Sequence, residues 1–223
     1  MTFTHDWFSH NIPTWEAHLK PLAGKPLKAL EVGCFEGRAT RWLLENVLVH
    51  PDSRITVCDT FEGAMEHRDG TFQIDFSEVE RVFDQEVTAP FKGKVTKIKD
   101  TSFNALVALN HAHAASYGLV YIDGSHVAKD VMTDALLAWA LLEPEGIMIF
   151  DDYAWQAYPD PALVPKLAVD AFLAMFAAHL QVLHKGYQVI VQRTPPAQAD
   201  LPPDGWWRRL RRRLGGGDPD RPR

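Results

Sequence analysis

Short apolar runs alternate with longer stretches of helical periodicity along most of this chain. Lys28 to Val32 reads as a strand stopped by Gly33, and Thr40 to Val49 as a helix with apolar positions at Trp42, Leu43, Leu44, Val47 and Leu48. A turn at Pro51-Asp52-Ser53 leads to a second strand, Arg54 to Cys58. Further on, the pattern predicts a helix over Ser77 to Glu86, a strand over Lys94 to Lys99 and a helix over Ser102 to Leu109. Gly118 to Ile122 is a fourth strand, and Val127 to Leu142 a long helix stopped by Pro144 and Gly146. Ile147 to Phe150 is apolar at every position, as in a strand buried on both faces. An apolar helix over Lys166 to His179 precedes two strands, Gln181 to Leu183 and Tyr187 to Val191, with a tight turn at Lys185-Gly186.

Strand-helix repetition of this kind builds a mostly parallel sheet with helices on both faces. The expected fold is therefore α/β, a Rossmann-like doubly wound sheet into which the terminal hairpin sets one antiparallel strand. The pattern occupies residues 25–193, after a helical segment over 1–24 that is a candidate substrate cover. Residues 194–223 shift to a Pro- and Arg-rich composition that predicts a disordered tail.

A length of 223 residues is enough for one domain with a sizeable core. No apolar run approaches the roughly 20 residues that span a bilayer, and the first residues lack a secretory pattern. Two cysteines, Cys34 and Cys58, make neither a disulfide framework nor a metal knuckle, so a cytoplasmic location is expected. The net charge of -6 is uneven: residues 201–223 hold seven arginines against three aspartates, about +4, which leaves the remainder near -10. An acidic body argues against general nucleic-acid binding. In the tail, Trp206 to Leu214 fits a solubilising segment, an amphipathic anchor on a membrane surface or a contact with another macromolecule. A homo-oligomer is compatible with all of this.

Ligands of such sheets bind beyond the carboxyl ends of the strands. After the first strand, Glu31-Val32-Gly33-Cys34-Phe35-Glu36-Gly37 sets two glycines four apart ahead of a helix. Gly33 permits a tight turn and Gly37 a close approach of backbone to ligand, although the spacing is not the dinucleotide fingerprint. Asp59 directly follows the second strand, where a carboxylate can accept from both hydroxyls of a ribose; capping a turn is the competing role. Thr60 adjoins it. Asp100-Thr101-Ser102 follows the third strand, placed either to meet an adenine edge or to cap the next helix.

The fourth and fifth strands end in Asp123-Gly124-Ser125-His126 and Asp151-Asp152-Tyr153. Three carboxylates converging on one rim repel unless a cation lies between them, and a hard divalent ion takes such oxygen ligands. His126, three residues beyond Asp123, is suited to accept a proton near neutral pH.

This ordered set, Leu30 to Gly37, Cys58 to Phe61, Tyr121 to His126 and Phe150 to Tyr153, resembles class I S-adenosylmethionine (SAM)-dependent methyltransferases. It is most similar to the small-molecule O-methyltransferase group of the macrocin type, with catechol-type enzymes more distant. The late stretches Ala168 to Phe172 and Gly186 to Val189 extend the likeness, which covers about residues 25–192. The resemblance implies a seven-stranded sheet whose last strand is antiparallel. It implies SAM bound by Glu31, Gly33, Cys34, Phe35, Glu36 and Gly37 around its methionine part and by Asp59 and Thr60 at its ribose. Asp100, Thr101, Ser102 and Asp123 complete the expected cofactor contacts. Asp123, Asp151 and Asp152 are then expected to hold Mg2+, with His126 and Asp123 as the catalytic residues. His126 stands where the catechol-type enzymes carry lysine. The implied reaction is methyl transfer to a small-molecule hydroxyl, of a sugar or a phenol. Two rivals are a nicotinamide-dependent oxidoreductase, disfavoured by the glycine spacing and the terminal hairpin, and a non-catalytic SAM- or nucleotide-binding scaffold.

Overall fold

The computed structural model describes residues 3–64, 67, 74–112 and 116–195; the expected disordered tail from 196 onward, with the basic stretch Trp206 to Leu214, lies outside them. The strands are β1 (Lys28–Val32), β2 (Arg54–Asp59), β3 (Val95–Lys99), β4 (Tyr117–Ile122), β5 (Leu142–Phe150), β6 (Leu180–Lys185) and β7 (Val189–Arg193). They form one seven-stranded sheet in the order β3-β2-β1-β4-β5-β7-β6. Strands β1 to β5 pair in parallel, and β7 runs antiparallel to both β5 and β6. The hairpin thus sets one reversed strand into the sheet.

The helices are α1 (Ile12–Leu19), α2 (Arg38–Asn46), α3 (Val79–Phe83), α4 (Ser102–Ala112), α5 (Ala128–Leu141) and α6 (Pro165–Met175). Alternation along each strand divides the core in two. Leu30, Val32, Val120, Ile122, Met148 and Phe150 point toward the layer containing Leu106, Val131, Ala135 and Phe172 of α4, α5 and α6. Ala29, Leu119, Tyr121, Ile147 and Ile149 point the other way, against Trp15, Leu43 and Phe83 of α1, α2 and α3. Burying both faces explains why the strands read as continuous apolar runs.

Three boundaries differ from the sequence pattern. α2 begins at Arg38, directly after Gly37 at φ +87°, and not at Thr40. The helix expected over Ser77 to Glu86 is a 3-10 turn, then α3, then a π-helical turn over Asp84–Thr88 in which Ala89 N–H donates to the Asp84 carbonyl at 2.9 Å. β5 starts at Leu142 immediately after α5; Pro144 and Gly146 lie inside the strand, and Glu145 at φ +65° bends it. Among the described residues no helix is long and apolar enough to cross a membrane.

Candidate functional site

The chain order reverses between β1 and β4, and there a cavity of about 1200 Å³ opens at the carboxyl ends of the strands. Gly33 shapes its floor. With φ at +79°, a Cβ on Gly33 would lie 2.1 Å from the Asp123 carbonyl oxygen, so only glycine lets the β1 turn pass the end of β4. Gly37 serves packing instead: a Cβ there would meet Val87 and Phe83 side-chain atoms at 2.5 and 2.7 Å.

Cys34 and Phe35 line the cavity together with Asp59, Thr60, Asp100, Thr101, Ser102 and Asp123. Three of the predicted cofactor contacts, Glu31, Glu36 and Gly37, lie off its wall. Asp59 braces the loop: Oδ2 accepts the Cys34 and Phe35 amides at 2.7 and 2.9 Å, and Oδ1 the Phe61 amide at 2.7 Å. An ionised carboxylate has about four acceptor sites; two are used in holding the loop at Phe35, with its left-handed φ of +48°, and a third at Phe61, with φ +58°. Asp100 accepts from the Asn104 side-chain amide at 2.9 Å and the Thr101 amide at 2.7 Å, which lowers its pKa, while the Thr101 hydroxyl oxygen caps α4 by accepting the Asn104 N–H at 3.3 Å.

Glu36, only 3% exposed, fastens the N-terminal segment to this loop. Its carboxylate accepts from the Thr4 hydroxyl and, at 2.7 Å, the Thr4 amide. Arg38 donates to the His5 carbonyl at 3.1 Å, and Trp7 packs on Phe35 with ring centres 4.7 Å apart. Asp6, Trp7 and His10 thereby become part of the cavity wall. A contact between residues 32 apart leaves no local signal in the sequence.

At the other end, ligand atoms of Asp123, His126 and Asp152 all lie within 4.8 Å of one another. Asp152 adopts φ +54°, a conformation aspartate tolerates better than most residues. That bend presents Oδ2 to His126 Nε2 at 2.7 Å, while Oδ1 accepts the Tyr187 hydroxyl at 2.6 Å. Trp155 stacks on the His126 ring at 4.4 Å and 23°. Asp151 faces inward: its carboxylate accepts from the Tyr121 hydroxyl, from Gln188 Nε2 at 2.9 Å and from the Asp152 amide at 2.7 Å. Gln188 is itself fixed by Trp15 Nε1, 2.7 Å from its Oε1.

The Tyr121 hydroxyl also lies 2.8 Å from Asp123 Oδ2, yet it has a single hydrogen to give to two carboxyls. Burial, reinforced by the facing acids, accordingly raises Asp123 well above the usual carboxylate range. Burial, then Asp152, pushes Asp151 up to about 7. Asp152 goes the other way: burial raises it, but the hydrogen bond and charge of His126 and the Tyr187 hydroxyl outweigh that and lower it. Two carboxylate oxygens and one imidazole nitrogen within reach of one point are a donor set that fits a divalent cation, whose charge would relieve this repulsion.

Glu31 is a separate matter. Strand alternation turns it under α2, where it is 1% exposed and the nearby Thr40 hydroxyl offsets its burial only in part. Burial raises its pKa from 4.5 to about 8. A raised folded-state value means stability is fully present below about 4.5 and lost as the pH climbs toward 8. Between pH 5.5 and 8 the unfolding free energy should fall more steeply in the parent protein than in Glu31→Gln, by about 3 kcal/mol. Denaturant titrations at both pH values measure this, and parallel losses in the two proteins would refute it.

A family model described as a methyltransferase domain matches residues 30–153, just over half of the chain. No curated protein matches the sequence. Among solved structures, MycE methyltransferase from the mycinamycin biosynthetic pathway, in complex with Mg, SAH and mycinamycin VI, is similar at a TM-score of 0.61 and 15% identity. That likeness covers 89% of this chain and 53% of MycE, so the chain spans about half the length of that protein. The O-methyltransferase from Bacillus cereus in complex with SAH gives a TM-score of 0.61 at 14% identity, over 86% of this chain and 84% of that one. TomG from Streptomyces achromogenes, an O-methyltransferase involved in tomaymycin synthesis and in complex with SAM, gives 0.58 at 17%, over 82% and 80%. At such identities the likeness is one of fold.

Proposed function

The chain belongs to the methyltransferase-domain family, and from that premise we propose that it is a SAM-dependent O-methyltransferase acting on a small-molecule hydroxyl with the help of a divalent cation. The observation that carries this reading is the meeting of Asp123, His126 and Asp152 in the same cavity as the Gly33 turn and Asp59. The Mg and SAH bound to MycE, and the SAM bound to TomG, support it by analogy of fold.

SAM supplies a methyl group on a sulfonium, and a divalent cation supplies Lewis acidity to the acceptor hydroxyl. Asp123 and Asp152 are the residues to hold that cation. Asp151 stays behind them, steadying Asp152 through its amide. His126, its Nε2 paired with Asp152 at 2.7 Å, takes the proton of the acceptor hydroxyl. Trp155 fixes the plane of the imidazole, is itself packed against Tyr158 at 5.8 Å, and offers the cavity an aromatic wall suited to a sugar face or a phenol ring. Trp7, packed on Phe35, adds an aromatic side chain of the N-terminal segment to the cavity wall.

The 2.7 Å pairing of His126 with Asp152 also favours a second reading, in which this dyad removes the proton without any metal. Calorimetric titration with S-adenosylhomocysteine (SAH) and, separately, with NAD tests the cofactor. SAH is expected to bind and NAD to give no heat; the reverse would replace this reading with a nicotinamide-dependent oxidoreductase.

A further inference from the structure

The charge of the cavity wall is one-sided. Eight of the residues that line it are aspartates, and among the described lining residues there is neither lysine nor arginine. Most of these acids are engaged within the protein. Asp59 and Asp100 hold backbone and side-chain amides, and Asp130 accepts from the Ser125 hydroxyl at 3.2 Å and pairs with Lys129. Asp134, in the middle of α5, is 1% exposed. Asp123, Asp151 and Asp152 form the acidic end of the cavity around His126. Asp6 is left over.

Asp6 belongs to the N-terminal segment. Its Oδ1 accepts the Ser9 amide at 2.9 Å and the Phe8 amide at 3.3 Å, with Arg38 Nε 3.6 Å away. Its Oδ2 meets no donor among the described residues, and the side chain is 46% exposed. Burial raises its pKa, but Ser9, Arg38 and the Phe8 amide outweigh that and lower it, so the group is a carboxylate at neutral pH. Four residues on, His10 stands edge-on to Tyr187 at 5.3 Å, and the Tyr187 hydroxyl donates to Asp152. The segment that carries Asp6 therefore borders the end of the cavity where an acceptor hydroxyl reacts. The side chains of Trp7, Trp155 and Tyr187 make this part of the wall aromatic.

An anionic acceptor entering this cavity meets carboxylates with no lysine or arginine to offset them, and it gives up its hydration to do so. A cationic one meets a carboxylate oxygen that has no other partner, in surroundings of aromatic rings, which attract cations over their faces. We propose that the acceptor is a hydroxyl compound that also carries a protonated amine, and that Asp6 receives the amine while the hydroxyl lies at His126. This rests on the O-methyltransferase reading above and adds the charge class of its acceptor. It excludes phosphorylated, sulfated and carboxylated acceptors from the same cavity.

The test is saturation-transfer NMR on the full-length protein with SAH and Mg2+ present, using two sets of probes matched in ring and differing in charge. One set is dopamine, 4-methylcatechol and 3,4-dihydroxyphenylacetate; the other is glucosamine, glucose and glucuronate. In at least one set the amine is expected to bind about tenfold or more tightly than the carboxylate, with the neutral probe between them. Asp6→Asn is expected to bring the amine to within about threefold of the neutral probe and to leave SAH affinity within about twofold. If neither set shows that order, or none of the six probes binds, the proposal is overturned. An amine preference that is undiminished in Asp6→Asn overturns it as well. No SAH binding by the parent protein would instead remove the methyltransferase reading, and this proposal with it.

Discussion

Asp152→Ala is expected to lower methyl-transfer turnover by about three orders of magnitude, in the range of a lost general base or its orienting partner, with SAH affinity staying within about twofold. Both halves follow from where Asp152 stands. Its two oxygens are divided between His126 at 2.7 Å and Tyr187 at 2.6 Å, so alanine releases the imidazole from its orientation and removes one of two carboxylates available to a cation. The braces of the Gly33 loop come from Asp59, on another strand, and are untouched. The left-handed φ of +54° at Asp152 adds a modest stability loss, because alanine tolerates that region less well than aspartate. Initial rates and calorimetry on the same preparation separate the two effects; a parallel fall in SAH affinity would mean that the acids belong to the cofactor half of the cavity. Repeating the parent assay in EDTA divides the two proton-removal routes. Loss of activity restored by Mg2+ favours the cation, and full activity favours the His126–Asp152 dyad alone.

Some of this site is readable from the chain because backbone rules place it. Residues directly after parallel strands gather at one rim, so Gly33, Asp59, Asp123 and Asp151-Asp152 could be assigned there from strand ends alone. The β1 strand was equally legible, since its apolar run and Gly33 mark both ends. What periodicity does not encode is direction. Asp151 and Asp152 are adjacent, yet one turns inward to Tyr121 and Gln188 and the other outward to His126, because a left-handed φ falls between them. Glu36 reads as part of the cofactor loop, but its carboxylate is taken by Thr4, 32 residues upstream. Asp134 carried no signal at all: an acid within an amphipathic helix reads as solvated, and only the packing of α5 on the sheet buries it. The early start of α2 was missed for a local reason, since Gly37 begins the helix without the hydroxyl or carboxylate that usually marks an N-cap.

Gly33→Ala is expected to damage both fold and binding, and Gly93→Ala is the matched control. Both glycines have nearly the same φ, +79° and +83°, so the intrinsic penalty for a side chain, about 1–2 kcal/mol, is shared. They differ in surroundings. Nothing lies within 4 Å of a Cβ on Gly93, whereas one on Gly33 would meet the Asp123 carbonyl oxygen at 2.1 Å, its carbon at 2.5 Å and the Gly124 Cα at 2.6 Å. All three are backbone atoms at the end of β4, and no rotamer change can move them aside. The chain must open the junction where Asp123 N–H donates to the Val32 carbonyl at 2.7 Å, which displaces Asp123 and Gly124 together. Gly33→Ala should therefore lose more than about 3 kcal/mol of stability, and whatever folds should bind SAH at least a hundredfold more weakly. Gly93→Ala should lose only the shared penalty and keep its affinity. Equal behaviour of the two variants would mean that β1 and β4 do not close on each other as tightly as this, and that the floor of the cavity lies elsewhere.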